Sequence, residues 1–351
     1  MQIFKEQPRN KDIGIIKLNP SGLSISQGQP ADVSFPNGAI DKLGCLKCAN
    51  PRCLYFDDTE VECSVTQGFP NDQSKEVCPV GALKWNIIDN TPIIDSTRCI
   101  YCGVCAKRCP VGAIYYDDGT SQMKINTVPS QYQYFTPIDE NMAKQHEAQI
   151  QDLISLPKIG TSINATDKIF DLIYEKLSRL NNQYHNIVVR NILIALGCSC
   201  AIRRIGDVYT RMDAVYLSND RCFGAVEIEY GRDTLDASRG ILDDIAVLFT
   251  RYSIPIEVNN PLVVCLSLPN ARQGYWQVVR DVRIVKGIRI QTLSIGALLI
   301  LLWNGAAFQP SNNDYYIDFD NMELRGTINK QLGTGRINLS NGYLGILEPL
   351  K

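Results

Sequence analysis

The sequence holds only two histidines, His146 and His185, which nearly excludes His-rich zinc centres and leaves little for a Ser-His-Asp triad. Charge of either sign is not in excess: 35 Lys and Arg stand against 37 Asp and Glu, a net charge of -2, so neither a histone-like tail nor an acidic disordered chain is indicated. No GxGxxG, Walker-type loop or flavin signature is found, so no second redox cofactor of its own is expected. The longest apolar run, "SIGALLILLWNGAAF", falls short of the roughly 20 residues that cross a bilayer and is expected to be a buried helix. The opening "MQIFKEQPRNKD" lacks the basic and apolar regions of a secretory signal, so a cytoplasmic location without a membrane partner is expected.

Cysteine is what the chain does have. Thirteen occur in 351 residues, a length sufficient for two domains with cores of their own. In a chain expected to stay in a reducing compartment, tight CxxC spacings point to thiolates held on metal rather than to disulfides. Nine lie between Cys45 and Cys109, and the other four, Cys198, Cys200, Cys222 and Cys265, are scattered through the second half. The segments "CPVGALKW" from Cys78 and "CPVGAIYY" from Cys109 form an internal repeat, each preceded by a cysteine cluster. In the second cluster, Cys99, Cys102 and Cys105 recur every third residue, and Cys109 and Pro110 follow. Three thiolates in such a loop can cap one face of an iron-sulfur cube while the next cysteine turns toward a second cube. Zinc, the alternative ion for four cysteines, does not account for eight well-spaced cysteines with twin CPVGA signatures.

At these residues, 45 to 116, the chain resembles the bacterial two-cluster 4Fe-4S ferredoxins, including the "IID" before the second motif. The resemblance implies two 4Fe-4S clusters with exchanged fourth ligands: Cys99, Cys102, Cys105 and Cys78 on one, and Cys45, Cys48, a third cysteine and Cys109 on the other. The first motif departs from the pattern, running "CLKCANPRC" and then through "LYFDDTEVEC". Its third ligand is Cys53 or Cys63; Cys53 keeps the loop short and is preferred.

A ferredoxin accounts for about the first 120 residues. A polar, Gln-rich connector puts the expected boundary near residue 140, giving a two-cluster domain over 1–140 and a second domain over 141–351. In the second, "ATDKIFDLIYEKLSRLNNQY" has helical apolar spacing, "GDVYTRMDAVYL" and "CFGAVEIEYG" read as strands, "TLDASRGILDDIAVLFTRY" as a helix with Ile241, Ile245, Leu248 and Tyr252 on one face, "PLVVCLSL" as a buried strand, and "GIRIQTLSIGALLILLW" as a strand and helix. With an acid on the first strand, Asp213, and the pair Glu227 and Glu229 on the second, this order resembles the restriction-endonuclease-like PD-(D/E)xK fold. The fold class expected is therefore α+β in the iron-sulfur domain and α/β with a central mixed sheet in the second.

That resemblance implies that Asp213, Glu227 and Glu229 bind Mg2+ or Mn2+, with Glu175 on the preceding helix as a further carboxylate. Glu229 stands where the family has Lys, an ExE variant. Glu227 and Glu229, two apart on a strand, share a face, and hard carboxylates suit Mg2+. The function implied is a Mg2+-dependent endonuclease acting on DNA in prokaryotic restriction or defence, by analogy of fold. An electron-transfer subunit and a non-cleaving DNA-binding component are the alternatives. DNA is the expected partner, with redox or defence-complex proteins and a second copy of the chain as further candidates. Arg203, Arg204 and Arg211, and a second basic run of Arg272, Arg280, Arg283, Lys286 and Arg289 with Tyr275 and Trp276 for base stacking, are candidate DNA contacts.

Overall fold

The computed structural model describes strands within 15–33 and residues 51–86, 91–109, 113–117, 119–125, 163–207, 209–231, 234–333 and 335–351. Cys45 and Cys48 lie outside these described residues. The chain divides into two compact units that are not consecutive in sequence, unlike the expected division at residue 140: Met1–Tyr55 with Gly81–Ile163, and Phe56–Val80 with Asn164–Lys351.

Among the described residues, the sheets of the first unit are small and antiparallel. Strands β1 (Ile15–Asn19), β2 (Gly22–Ser26) and β3 (Pro30–Val33) form a meander. Strands β4 (Leu83–Asn86) and β5 (Thr91–Ile94) pair as one ribbon, and after the short helix α1 (Val104–Arg108), β6 (Ile114–Asp117) and β7 (Gln122–Ile125) pair as another. The two ribbons follow the two cysteine clusters, as the internal repeat requires.

The second unit is built on a mixed sheet. Helices α2 (Asp167–Leu177) and α3 (Asn182–Ala195) come first; the single helix expected from periodicity is interrupted after Leu177, and Asn181 begins a new one. Strands β8 (Ser199–Ile202), β9 (Ala214–Leu217) and β10 (Phe223–Glu229) then run antiparallel. The first half of the strand expected over "GDVYTRMDAVYL" is loop, and pairing begins only at Ala214. Helix α4 (Leu235–Tyr252) crosses over to β11 (Leu262–Cys265), which is parallel to β10, and α5 (Tyr275–Lys286) crosses to β12 (Gln291–Ser294), parallel to β11. The sheet order is β12-β11-β10-β9-β8. Strand β11 is buried at every position, as a central parallel strand must be.

The apolar run forms helix α6 (Ile295–Trp303), buried along its whole length and capped by Ser294, whose Oγ accepts from Ala297 N at 3.0 Å and donates to Ile346 O at 2.6 Å. Among the described residues no helix is long and apolar enough to cross a membrane. Helix α7 (Arg325–Leu332) follows near the end of the chain.

Residues 56–80, which lie in sequence between Cys53 and strand β4, belong to this second unit and cover the edge of β8. Asp72 N donates to Ile202 O at 2.8 Å and Arg204 N to Pro70 O at 2.7 Å. A sheet edge left open would invite pairing with other chains. From α3, the fully buried Arg190 donates to Ser74 Oγ at 3.3 Å and lies 3.6 Å from Asp72, while Asn191 Nδ2 donates to Glu76 O and Val77 O at 2.9 and 3.0 Å. Replacing Arg190 by Ala leaves a cavity and takes the guanidinium from Asp72, which keeps its bonds from Ser74, and a loss of about 3 kcal/mol is expected in chemical denaturation. A loss below about 1 kcal/mol would show that the insert is held without it.

Candidate functional sites

In the first unit the second cysteine cluster is bent by two left-handed residues, Tyr101 (φ 60°) and Gly103 (φ 76°). Gly103 takes this conformation without strain and starts α1, which carries Cys105. Amides are aimed at sulfur on both sides of the helix: Tyr101 N donates to Cys99 Sγ at 3.5 Å and Ala113 N to Cys109 Sγ at 3.2 Å. Such bonds favour the thiolate form and tune a cluster's potential. Cys53, Cys99, Cys102 and Cys109 are buried and Cys105 is half-buried. Arg108 Nε donates to Arg52 O at 2.9 Å, tying α1 to the loop of Cys53.

The two candidates for the remaining ligand of the first motif fall in different units, Cys53 in the first and Cys63 in the second. Cys78 lies two residues before the end of the 56–80 segment. In the second unit Cys198, Cys200 and Cys265 are buried, and burial pushes their thiols up. They are small apolar core residues there.

The second site is a carboxylate group beside a cleft. Asp213 immediately precedes β9, and its two oxygens accept from Asn186 Nδ2 at 3.2 Å and Ile228 N at 3.0 Å, with Arg203 at 3.7 Å. Glu227 comes from β10, and Asp244, which is almost fully buried, comes from α4. Burial, then the neighbouring Asp213 and Asp244 carboxylates, push Glu227 up to about 9; burial, then Asp213, push Asp244 up to about 7. Burial also raises Asp213, against the pull of the Ile228 amide and of Arg203. Helix α4 can approach because residue 240 is glycine: a Cβ there would stand 3.2 Å from Glu227 Oε1.

Among the described residues no three His, Cys, Asp or Glu side chains converge as ligands of one ion. Glu227 and Asp244 instead perturb one another, and burial beside like charge raises the proton affinity of both. Asp244 Oδ2 is buried with no hydrogen-bond partner among the described residues. An orphaned carboxylate oxygen in a group of acids that retain protons fits a divalent cation, which would satisfy the oxygen and replace the proton.

Asp213, Glu227 and Asp244 are thus brought together. Glu229, also on β10, lines the cleft, with Oε1 accepting from Gly231 N, and acts on Glu227 more weakly than the other two acids. Glu175 stands apart, exposed on α2 in an ion pair with Arg179 at 2.6 Å. Sequence reasoning missed Asp244, although a signal existed: it falls on the same helical face as Ile241, Ile245 and Leu248, where an acid is costly to bury.

The cleft, about 600 Å³, is lined by Asn182, His185, Asn186, Arg203, Arg204 and Asp213, among others. The second basic run offers no stacking surface. Residues 275–286 form a helix, and Tyr275 and Trp276 are fully buried, bonded to Thr292 and to the carbonyls of Pro269 and Asn270. The aromatic pair sits on the helix face turned to the sheet, where apolar area is removed from water. Arg280, Arg283 and Arg289 are paired with Asp320, Asp318 and Asp314.

The acids set a pH dependence. Without an ion, the folded state keeps protons on Glu227 and Asp244 that the unfolded chain releases near the ordinary 4.5 and 3.8. The native state then binds more protons up to about pH 9, so its stability falls as pH rises through that window. A divalent ion relieves this. The thermal midpoint measured with and without Mg2+ is expected to diverge steadily from about pH 5 to about pH 9; a gap independent of pH would count against a cation among these acids.

A family model described as "4Fe-4S binding domain" matches residues 92–115. The chain is also 51% identical over 79 residues to an uncharacterized ferredoxin of Methanocaldococcus jannaschii, an alignment covering 20% of this chain and 49% of that protein. The chain therefore carries an iron-sulfur, ferredoxin-like domain in its N-terminal part, and it spans about half the length of the curated relative it matches. No solved structure matches the chain.

Proposed function

We propose that the second unit is a Mg2+- or Mn2+-dependent endonuclease acting on DNA, joined to a ferredoxin-like domain with two 4Fe-4S clusters. The observation that carries this reading is the mutual perturbation of Asp213, just before β9, Glu227 on β10 and Asp244 on α4, with Asp213, Glu229 and Arg203 on the wall of an open cleft. The topology supports it: three antiparallel strands, then a helical crossover to a parallel strand, with the acids around the middle of the sheet. This is the arrangement that the restriction-endonuclease-like resemblance implies.

In this reading Asp213, Glu227 and Asp244, which do not converge as ligands of one ion as they stand, are drawn in around the cation. When bound, it supplies Lewis acidity at a phosphodiester and makes water acidic enough to attack near neutral pH. Glu229, which lines the cleft and whose Oε1 is held by the Gly231 amide, takes the proton from the attacking water. Arg203, fixed by the carbonyl of Thr210 at 2.7 Å, offers its remaining N–H groups to phosphate oxygens. A role in restriction or defence is part of the same proposal, by analogy of fold.

The test is incubation of anaerobically purified protein with plasmid and single-stranded DNA in Mg2+, Mn2+ or EDTA, with the clusters oxidised and reduced. Cleavage that requires the metal supports the nuclease, and no cleavage in any condition sinks it. A second reading, an electron-transfer subunit, is favoured by the amides aimed at Cys99 and Cys109 and by the relative named a ferredoxin. Partner-dependent turnover lost on changing the cluster cysteines would select it.

A further inference from the structure

Between β8 and β9 the chain makes a loop, 203–213, whose residues 203–207 and 213 line the cleft. Its described residues are tightly held. Asp207 Oδ1 accepts from Tyr209 N at 2.9 Å and Thr210 N at 2.7 Å; Arg203 Nη1 donates to Thr210 O at 2.7 Å; and from α4, Arg251 Nη1 donates to Tyr209 O at 2.8 Å. Thr210 and Met212 anchor it in the core.

What this frame holds outward is apolar. Tyr209 is 78% exposed and Ile205 67% exposed, both with Arg204 on the same loop, also exposed. An aromatic ring held in water on a fixed backbone, on a loop whose Arg204, Ile205 and Asp213 line the cleft, can receive a flat, anionic ligand. A paired duplex hides its base faces; an unpaired strand exposes them, and stacking on tyrosine is available to any base.

We infer that loop 203–213 reads unpaired DNA: Tyr209 stacks on a base of a single strand whose backbone passes Arg204 and enters the cleft toward Asp213 and Glu229. This rests on the nuclease reading and adds its substrate class, single-stranded or frayed DNA rather than intact duplex. Arg211, paired with Asp243 at 3.1 Å, braces the loop on α4 rather than contacting the strand.

The test is anisotropy of the full-length, cluster-loaded protein with a labelled oligothymidylate of about 16 nucleotides and a hairpin duplex, with Ca2+ in place of Mg2+. Tyr209→Ala is expected to weaken single-strand binding about tenfold and duplex binding less than about twofold, whereas Tyr209→Phe binds like the wild type. Equal binding by the Ala variant, equal losses on both DNAs, or no single-strand binding by the wild type would overturn the inference. Its failure is separable from that of the nuclease. Wild-type cleavage with an unaffected Tyr209→Ala variant sinks the loop's role alone, and Tyr209-dependent binding without any cleavage sinks the nuclease alone.

Discussion

Glu227→Gln is expected to abolish Mg2+-dependent DNA cleavage, by about a thousandfold or more, while making the ion-free protein more stable above neutral pH. The two effects have one origin. Glu227 is half-buried near Asp213 and Asp244, and its ionisation is opposed by its partial burial and by both neighbours. A neutral amide of the same shape removes that repulsion, but it brings no charge to a cation. The thermal midpoint without Mg2+ should rise by a few degrees at about pH 8, since about 1 kcal/mol corresponds to roughly 2–4 °C in a domain of this size. The stabilising effect of added Mg2+ should shrink. Asp244→Asn should follow the same pattern, and Glu175→Gln, whose carboxylate sits in an exposed pair with Arg179, should leave cleavage intact. An acid kept only for structure would behave differently: its replacement would lower stability and leave any cleavage in proportion to the folded fraction. Full cleavage by Glu227→Gln would remove the site assignment.

The second large effect belongs to the iron-sulfur domain. With two cubes the anaerobically purified protein should hold about eight iron and eight sulfide per chain, and Cys105→Ala should hold about half or less. Cys105 is carried by α1 directly after the left-handed Gly103, so its loss opens one corner of a cube while Cys99 and Cys102 keep their loop. Cluster binding is also folding energy for a unit whose described sheets are two-stranded ribbons and a small meander, so proteolysis within 81–163 should become faster in the variant. Zinc in place of iron, or iron without acid-labile sulfide, would overturn the cluster assignment. Cys63→Ala discriminates between the candidate third ligands of the first motif. Cys53 keeps the ligand loop short, so replacement of Cys63 should leave the iron content unchanged, and a loss of iron would select Cys63 instead.

The carboxylate site was legible in part. The acids of "RMDAV" and "AVEIEY" stand out because they interrupt apolar strand segments, and Asp213 and Glu227 do lie close enough to perturb one another. Asp244 was harder to find, because a DD pair in an amphipathic helix looks like ordinary solvated charge until the helix is docked. Only docking makes Asp243 a surface partner of Arg211 and its neighbour Asp244 a buried acid. Arginines and aromatics mislead for the same reason. The run around Tyr275 and Trp276 has the composition of a nucleic-acid surface, but its helical period turns both rings into the core and its arginines find carboxylates on a later segment. Tyr209, expected within a strand, lies in the loop before β9 with its ring exposed.

Taken alone, the amino-acid sequence determined the iron-sulfur chemistry, because ligand spacing in a short loop is local and needs no tertiary contact to be read. It also determined the alternation of helices and strands in the second half, because 3.6- and 2-residue periods are local as well. Tertiary structure decided the rest. It assigned 56–80, lying between cysteines of the ferredoxin motif, to the unit of the mixed sheet, because the edge of β8 supplies backbone partners that no local pattern records. It also decided which acids carry raised proton affinities, since burial and like charge arise only when strand and helix from distant parts of the chain close on one another.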